Sequence, residues 1–241
     1  MEKQMFGEFL GTLVLILMGN GVVANVLLKK SKAENAGWMV IATGWAFAVM
    51  TGVFTAIACG APGHLNPAVT LASAVASGDF SKLLPYTLAQ MLGAIAGATL
   101  VWIHFGPHWS VTPDPDSKLA CFCTSPAIRR PAANLVSEII GTFILILVAS
   151  AIGSKAGAPV GPAPGLSPYL VACLVWGIGL SLGGTTGYAI NPARDLGPRI
   201  AHSLLPIAQK GGSDWSYAPV PIAGPLIGAA LAGLLVRVVG M

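Results

Sequence analysis

The tripeptide Asn-Pro-Ala occurs twice, as Asn66-Pro67-Ala68 and as Asn191-Pro192-Ala193, in a chain that is apolar around both copies. Each copy reads as a helix start. Asn is a preferred N-cap, and Pro suits the first helical position, where its missing N–H would have found no partner anyway. A helix opening at Asn66 can run only to Ser77 before the Gly78-Asp79 break, roughly 18 Å at 1.5 Å per residue, against about 30 Å of bilayer hydrocarbon. It spans half a membrane. A helix that begins inside a membrane leaves its first N–H groups without water, which is tolerated only where the backbone is buried in protein or lines a wet cavity. Two such starts predict a water-filled passage.

Composition places the rest of the chain in the membrane with them. Of 241 residues, 54% are hydrophobic and 9% charged, where a soluble domain carries about 25% charged residues. The formal charge of +4 is spread over loops; without a basic stripe there is nothing to hold nucleic acid. Stretches long enough to span run from about Met5 to Leu28, Gly37 to Ala58, Leu83 to Phe105, Ala132 to Gly153, Pro168 to Leu182 and onward, and Tyr217 to Val238, six candidate helices. The first 24 residues have the outline of a signal peptide, but Glu8 within the apolar run argues against cleavage.

The order is two spans, a half-helix and a span, then the same again. Glu8-Phe9-Leu10-Gly11-Thr12 recurs as Glu138-Ile139-Ile140-Gly141-Thr142, and the Asn-Pro-Ala boxes follow these glutamates by 58 and 53 residues. Three spans per half make the second half enter from the opposite side, so the expected fold is an all-α membrane protein with six transmembrane helices and two re-entrant half-helices in an inverted repeat. The halves, 1–105 and 132–241, form one channel domain of residues 1–241. They are joined by a Pro-rich, charged surface loop at 106–131. A second Pro/Gly stretch, Gly157 to Gly165, reads as an extended connector, with a hinge or gate as the sharper alternative. Glycines at 177, 179, 183, 184 and 187, the pair Gly93 and Gly97, and the pair Gly224 and Gly228 suit close helix approach. Lys29, Lys30 and Lys32 after the first span favour an external N-terminus by the positive-inside rule, and Lys3, Lys82, Lys155 and Arg237 on the other side do not outweigh them.

Two Asn-Pro-Ala boxes on an inverted three-plus-three repeat, each half opening with Glu-x-x-Gly-Thr, resemble the aquaporin (major intrinsic protein) family over nearly the whole chain. Asp195 after Arg194, with Arg199, Pro221 and Ile222, is similar to the glycerol-facilitator branch; Phe105 departs from it, since Tyr is commoner there. The resemblance implies a cofactor-free passive channel for glycerol and other small uncharged solutes together with water, excluding ions and protons. The alternatives are a channel mainly for water, or one for ammonia, urea or metalloid acids. It further implies a homotetramer in the bacterial inner membrane with both termini cytoplasmic, against the charge bias.

The residues support a mechanism alongside this. As N-caps, Asn66 and Asn191 use their side-chain oxygens on their own helices, leaving NH₂ donors for a lumen where they meet, while both half-helix dipoles repel cations. Arg194, about one turn outward from Asn191, is a permanent charge within the membrane and is functional by default. Asp195 and Arg199, at i and i+4, can pair and read as scaffold with Glu8 and Glu138, whose carboxylates find donors in the re-entrant loops. Residues before each Asn are expected to be extended and to present a carbonyl ladder: Pro62, Gly63 and His64 on one side, Gly187, Tyr188 and Ala189 on the other. The Ala61-Pro62-Gly63-His64 stretch is one residue longer than the loop usual in the family, which leaves the ladder's register open. By the resemblance, the outer constriction comprises Trp45, with Trp38 as the alternative, and Gly179, Tyr188 and Arg194. Water-selective members carry His at the position of Gly179, so its absence is expected to widen the pore.

Other classes lack their chemistry. Four His and four Cys show no metal spacing, with Cys121-x-Cys123 reading as incidental loop chemistry; no nucleophile sits with a base, and no Gly-x-x-x-x-Gly-Lys-Ser/Thr motif serves a pump.

Overall fold

The computed structural model describes residues 1–154, 162–163 and 165–241. Most of the Gly157–Gly165 stretch therefore lies outside the described residues. The first half contains α1 (Glu2–Leu27), α2 (Trp38–Ala58), α3 (Pro67–Ser77) and α4 (Leu83–His104). The joining segment holds α5 (Gly106–Val111) and α6 (Pro115–Ala120), and the second half α7 (Pro131–Gly153), α8 (Ser167–Ser181), α9 (Pro192–Leu204) and α10 (Pro219–Val239). By length and apolarity α1, α2, α4, α7 and α10 can each cross a membrane. Helix α8, expected to continue past Leu182, ends at Ser181 and is about 22 Å long; Gly183 and Gly184 follow, poor helix formers that start the turn toward Gly187.

Packing repeats between the halves. Helix α1 lies against α2 and α4, α7 against α8 and α10, and α2 meets α8 across the centre. Each half-helix lies on the last span of the other half, α3 on α10 and α9 on α4. The close crossings use small residues where the backbones leave no room for a side chain. A Cβ at Gly97 would sit 2.6 Å from the Leu13 carbonyl, and one at Gly93 would overlap the carbonyl of Phe9. In the other half a Cβ at Gly224 would lie 2.5 Å from the Glu138 Cβ, and one at Gly228 would overlap the Ile139 carbonyl. Gly177 and Gly184, grouped with these by sequence, face open space.

The joining segment departs from the surface loop expected at 106–131. Trp109, Cys121, Phe122 and Cys123 are buried within it. Its short helices are fixed by local caps and by one buried amine: Asp114 accepts from the N–H groups of Asp116 and Ser117 at the start of α6, and Lys118 donates through Nζ to the carbonyls of Ala208 and Gln209. Burial pushes the Lys118 ammonium below the ordinary lysine value. Charged residues made this stretch read as solvent-facing, yet Lys118 is fully buried, because carbonyls beyond α9 replace its water.

Candidate functional site

Asn66 caps α3 through a 2.8 Å bond from the Ala68 N–H to its Oδ1. Asn191 caps α9 through the N–H groups of Ala193 at 3.0 Å and Arg194 at 3.2 Å. The amide nitrogens then reach across the halves. Asn66 Nδ2 donates to the Ile190 carbonyl and Asn191 Nδ2 to the Leu65 carbonyl, each at 2.8 Å. One N–H of each amide is thus used in this exchange and the second stays available, fewer lumen donors than capping alone suggested.

The loops before each Asn are held by carboxylates at matching offsets. Glu8 accepts the His64 N–H at 2.8 Å and the Leu65 N–H at 2.7 Å. Glu138 accepts the Ala189 N–H at 3.0 Å and the Ile190 N–H at 2.8 Å. Gln90 adds a donor to Glu8 at 2.8 Å, and Thr186 one to Glu138 at 2.6 Å. Both carboxylates are fully engaged and buried. The loops are not simply extended, as the sequence suggested. Gly63, Leu65, Gly187, Tyr188 and Ile190 all have φ between 38° and 79°. Successive carbonyls of a regular extended segment point in opposite directions, so left-handed residues are what turn neighbouring carbonyls to one side. For Leu65, Tyr188 and Ile190 that conformation costs of order 1–3 kcal/mol each, offset by the carboxylate bonds to their own or neighbouring N–H groups.

These loops line a cavity of about 530 Å³. Pro62, Gly63, His64, Gly187, Tyr188 and Ala189 all contribute to its wall, with Asn66 and Asn191. The same wall includes the apolar residues Leu15, Val49, Val53, Val69, Leu145 and Val175. The wall continues along α3 from Asn66 to Ser77 and, past Asn191 in the opposite direction, to Arg194. The wall therefore combines polar loop backbone and amides with hydrocarbon.

Beyond the asparagines, Trp45, Tyr188, Gly179 and Arg194 come together. The Arg194 Cζ lies 4.1 Å from the Trp45 ring centroid, a cation–π distance. Its Nη1 donates to the Phe122 carbonyl at 3.3 Å. Trp45, Tyr188 and Arg194 line the cavity, but Gly179 does not. A Cβ there would sit 2.8 Å from the Tyr188 Cζ and Oη and 3.3 Å from the Ala42 Cβ. The space left by the missing side chain is thus filled by the tyrosine ring and is not open lumen. Trp38 braces this arrangement from behind, donating from Nε1 to the Gly179 carbonyl at 3.0 Å and meeting the Tyr188 ring edge-on at 5.9 Å. The Tyr188 hydroxyl is buried with no hydrogen-bond partner among the described residues.

Asp195 and Arg199 form a fully buried ion pair at 2.8 Å. Asp195 also accepts from the Thr124 N–H at 2.8 Å and Oγ1 at 2.7 Å. Arg199 donates to the carbonyls of Thr124, Ser213 and Asp214 at 3.0, 2.8 and 2.9 Å. The pair ties α9 to the joining segment and to the chain before α10. Cys123 is buried beside it and Cys121 is buried against the Ser117 carbonyl, both as free thiols, which burial pushes above the ordinary thiol range. Asn20, Gln90, Phe122, Thr124 and Thr186 belong to this site without having been singled out by sequence. Asn20, an amide between two glycines of an apolar span, and Gln90, an amide within another, had a readable signal; the carbonyls of Phe122 and Thr124 have no residue-type signature.

Fold and site together define a multi-span α-helical channel whose passage runs between two inverted halves. The chain belongs to the family described as Major intrinsic protein, whose model matches residues 1–236. It is 55% identical over 239 residues to glycerol uptake facilitator protein 3 of Lactiplantibacillus plantarum, covering 98% of this chain and 96% of the relative. It is 52% identical over 236 residues to the glycerol uptake facilitator protein of Streptococcus pneumoniae strain R6, covering 98% of each. Among solved structures, the X-ray structure of the aquaglyceroporin from Plasmodium falciparum superposes with a TM-score of 0.85 at 27% identity, over 98% of this chain and 95% of that one.

Proposed function

We propose that this protein is a passive channel for glycerol and other small uncharged solutes together with water, which excludes ions and protons. The observation that carries this reading is the mixed wall of the passage, where loop backbone and asparagine amides lie together with aliphatic side chains. A polyol has the same mixture of polar and apolar surface. Its hydroxyls exchange water for carbonyls, the Asn66 and Asn191 amides and the Arg194 guanidinium, while its C–H edge faces hydrocarbon, so dehydration is compensated without a deep well that would stop passage. Trp45, Gly179, Tyr188 and Arg194 act as the selectivity filter. Trp45 and Tyr188 supply ring faces and Arg194 a fixed charge. The positive ends of α3 and α9 oppose cations at the centre. Glu8, Glu138, Asp195 and Arg199 act as buttresses.

In this reading the single channel domain comprises halves 1–105 and 132–241 with 106–131 as the join. Copies assemble as homotetramers in a bacterial inner membrane, each chain enclosing its own pore, with both termini cytoplasmic. The deciding experiment is stopped-flow light scattering of proteoliposomes under glycerol and sorbitol gradients. Rapid re-swelling in glycerol with none in sorbitol is the expected result. Water permeability without glycerol permeability would overturn the reading in favour of a water channel.

A further inference from the structure

Arg194 makes no ion pair with a carboxylate among the described residues. Its hydrogen-bond anchor is the Phe122 carbonyl at 3.3 Å, a long bond to a turn of the joining segment. A second buried donor reaches that same oxygen. Asn20, in the last third of α1 and with no solvent exposure, donates from Nδ2 to the Phe122 carbonyl at 3.1 Å. A carbonyl oxygen carries two lone pairs, so it can serve both donors at once. We propose that Asn20 is a positioning residue of the filter: it fixes the Phe122 carbonyl on which the Arg194 guanidinium rests.

Three observations converge on this. First, Asn20 is costly where it stands, because its Oδ1 is buried with no hydrogen-bond partner among the described residues, and an apolar side chain would serve the span better. Second, its neighbour makes room for the other wall of the filter. A Cβ at Gly19 would overlap the Trp45 ring, the atom Cη2 lying 2.5 Å away, so consecutive residues of α1 seat the indole under the arginine and the carbonyl that holds the arginine. Third, the Phe122 ring is already fixed by packing against Trp109 at 5.7 Å and His202 at 5.3 Å. The peptide that carries the carbonyl is held at its other end by the Cys123 N–H, which donates to the Leu119 carbonyl at 3.1 Å, and Asn20 supplies the hold at the oxygen itself.

The inference rests on the filter reading above, and its test separates the two. Proteoliposomes carrying wild type, Asn20→Val, Arg194→Val and the double variant are compared for glycerol, five-carbon polyol and water permeability, with thermal stability in detergent measured alongside. Asn20→Val is expected to lower the ratio of glycerol to five-carbon polyol permeability by about three- to tenfold, the factor that one ordinary intramolecular hydrogen bond is worth, while water still passes. In the Arg194→Val background the same change is expected to do nothing further, the signature of two residues acting through one contact. If Arg194→Val leaves selectivity unchanged, the filter reading falls. If Arg194→Val lowers the ratio but Asn20→Val does not, or lowers it equally with and without Arg194, the positioning role is overturned. An Asn20→Val loss of all fluxes together with stability would also overturn it, as a purely structural role. Asn20→Ser, too short to reach the carbonyl, repeats the comparison should the valine variant fail to insert.

Discussion

Residue 179 is small because Tyr188 already occupies the place its side chain would take. Gly179→Ala is therefore expected to be felt although it adds one methyl group, with a loss of about 1–3 kcal/mol in stability and a lower glycerol flux, as the tyrosine is pushed toward the passage. Gly179→His should go further, lowering glycerol flux much more than water flux in stopped-flow assays. Equal loss of both would mean that the four residues do not act as one filter. Tyr188→Phe keeps the ring and removes a hydroxyl that has no hydrogen-bond partner among the described residues, so the glycerol-to-water ratio should shift only modestly. Arg194 was legible in sequence as a charge where no charge belongs, while Trp45, with Trp38 as the alternative, was named only through the family resemblance. The filling of position 179 by Tyr188 was not legible, since it depends on a left-handed backbone at Tyr188 itself, with φ 38°, and no residue type announces that.

The half-helices were the most readable elements, because caps and breaks are local chemistry: Asn66 and Asn191 cap α3 and α9, and Gly78, left-handed with φ 80°, ends α3. Their placement depends on the two glutamates. Glu138→Gln would turn one hydrogen-bond acceptor into a donor facing the N–H groups of Ala189 and Ile190 or the Thr186 hydroxyl. It should cost about 1.5–3 kcal/mol, as for hydrogen bonds to charged groups, and slow glycerol and water together, because the whole loop shifts. A fall in glycerol alone would contradict a buttress role. The joining segment was the least readable element, since Lys118 and its flanking acids mimic a solvated loop. Its α6 should loosen in acid. The Ser117 hydroxyl, which outweighs the opposing effect of burial, and then the backbone N–H groups of Asp116 and Ser117 hold the Asp114 carboxyl below the ordinary aspartate value. That contribution is complete above the unfolded value and is lost as pH falls through the lower folded one. Faster amide exchange at Asp116 and Ser117 below about pH 4, after correction for intrinsic exchange, would register it; protection unchanged there would not fit.

For the whole molecule, the inverted repeat was visible because Glu-x-x-Gly-Thr and Asn-Pro-Ala recur in the same order, and each half-helix lies on the other half's last span. Both buried carboxylates beside the passage, Glu8 and Glu138, are fully bonded, which leaves neither of them free to carry protons. Solute flux should be bidirectional and unchanged by an uncoupler, as a counterflow assay with and without one will tell. The exchange of asparagine bonds between the halves also bears on how the protein is made. Asn66 needs the Ile190 carbonyl, 124 residues later, and the Leu65 carbonyl needs Asn191, 126 residues later. At ordinary synthesis rates this is a wait on the order of 10 s. Through that interval the first half has a helix that ends at the middle of a bilayer and nothing to satisfy its tip. In an Ala68→Cys variant, whose position is buried in one cluster with Ala229 and Ala232 of the second half, the thiol should therefore react with water-borne reagents in ribosome-bound chains that stop before Asn191, and become protected once the second half is released. The pore is closed around its own centre only by the last third of the chain, so nascent first halves are the stage at which this protein is most exposed to quality-control proteases.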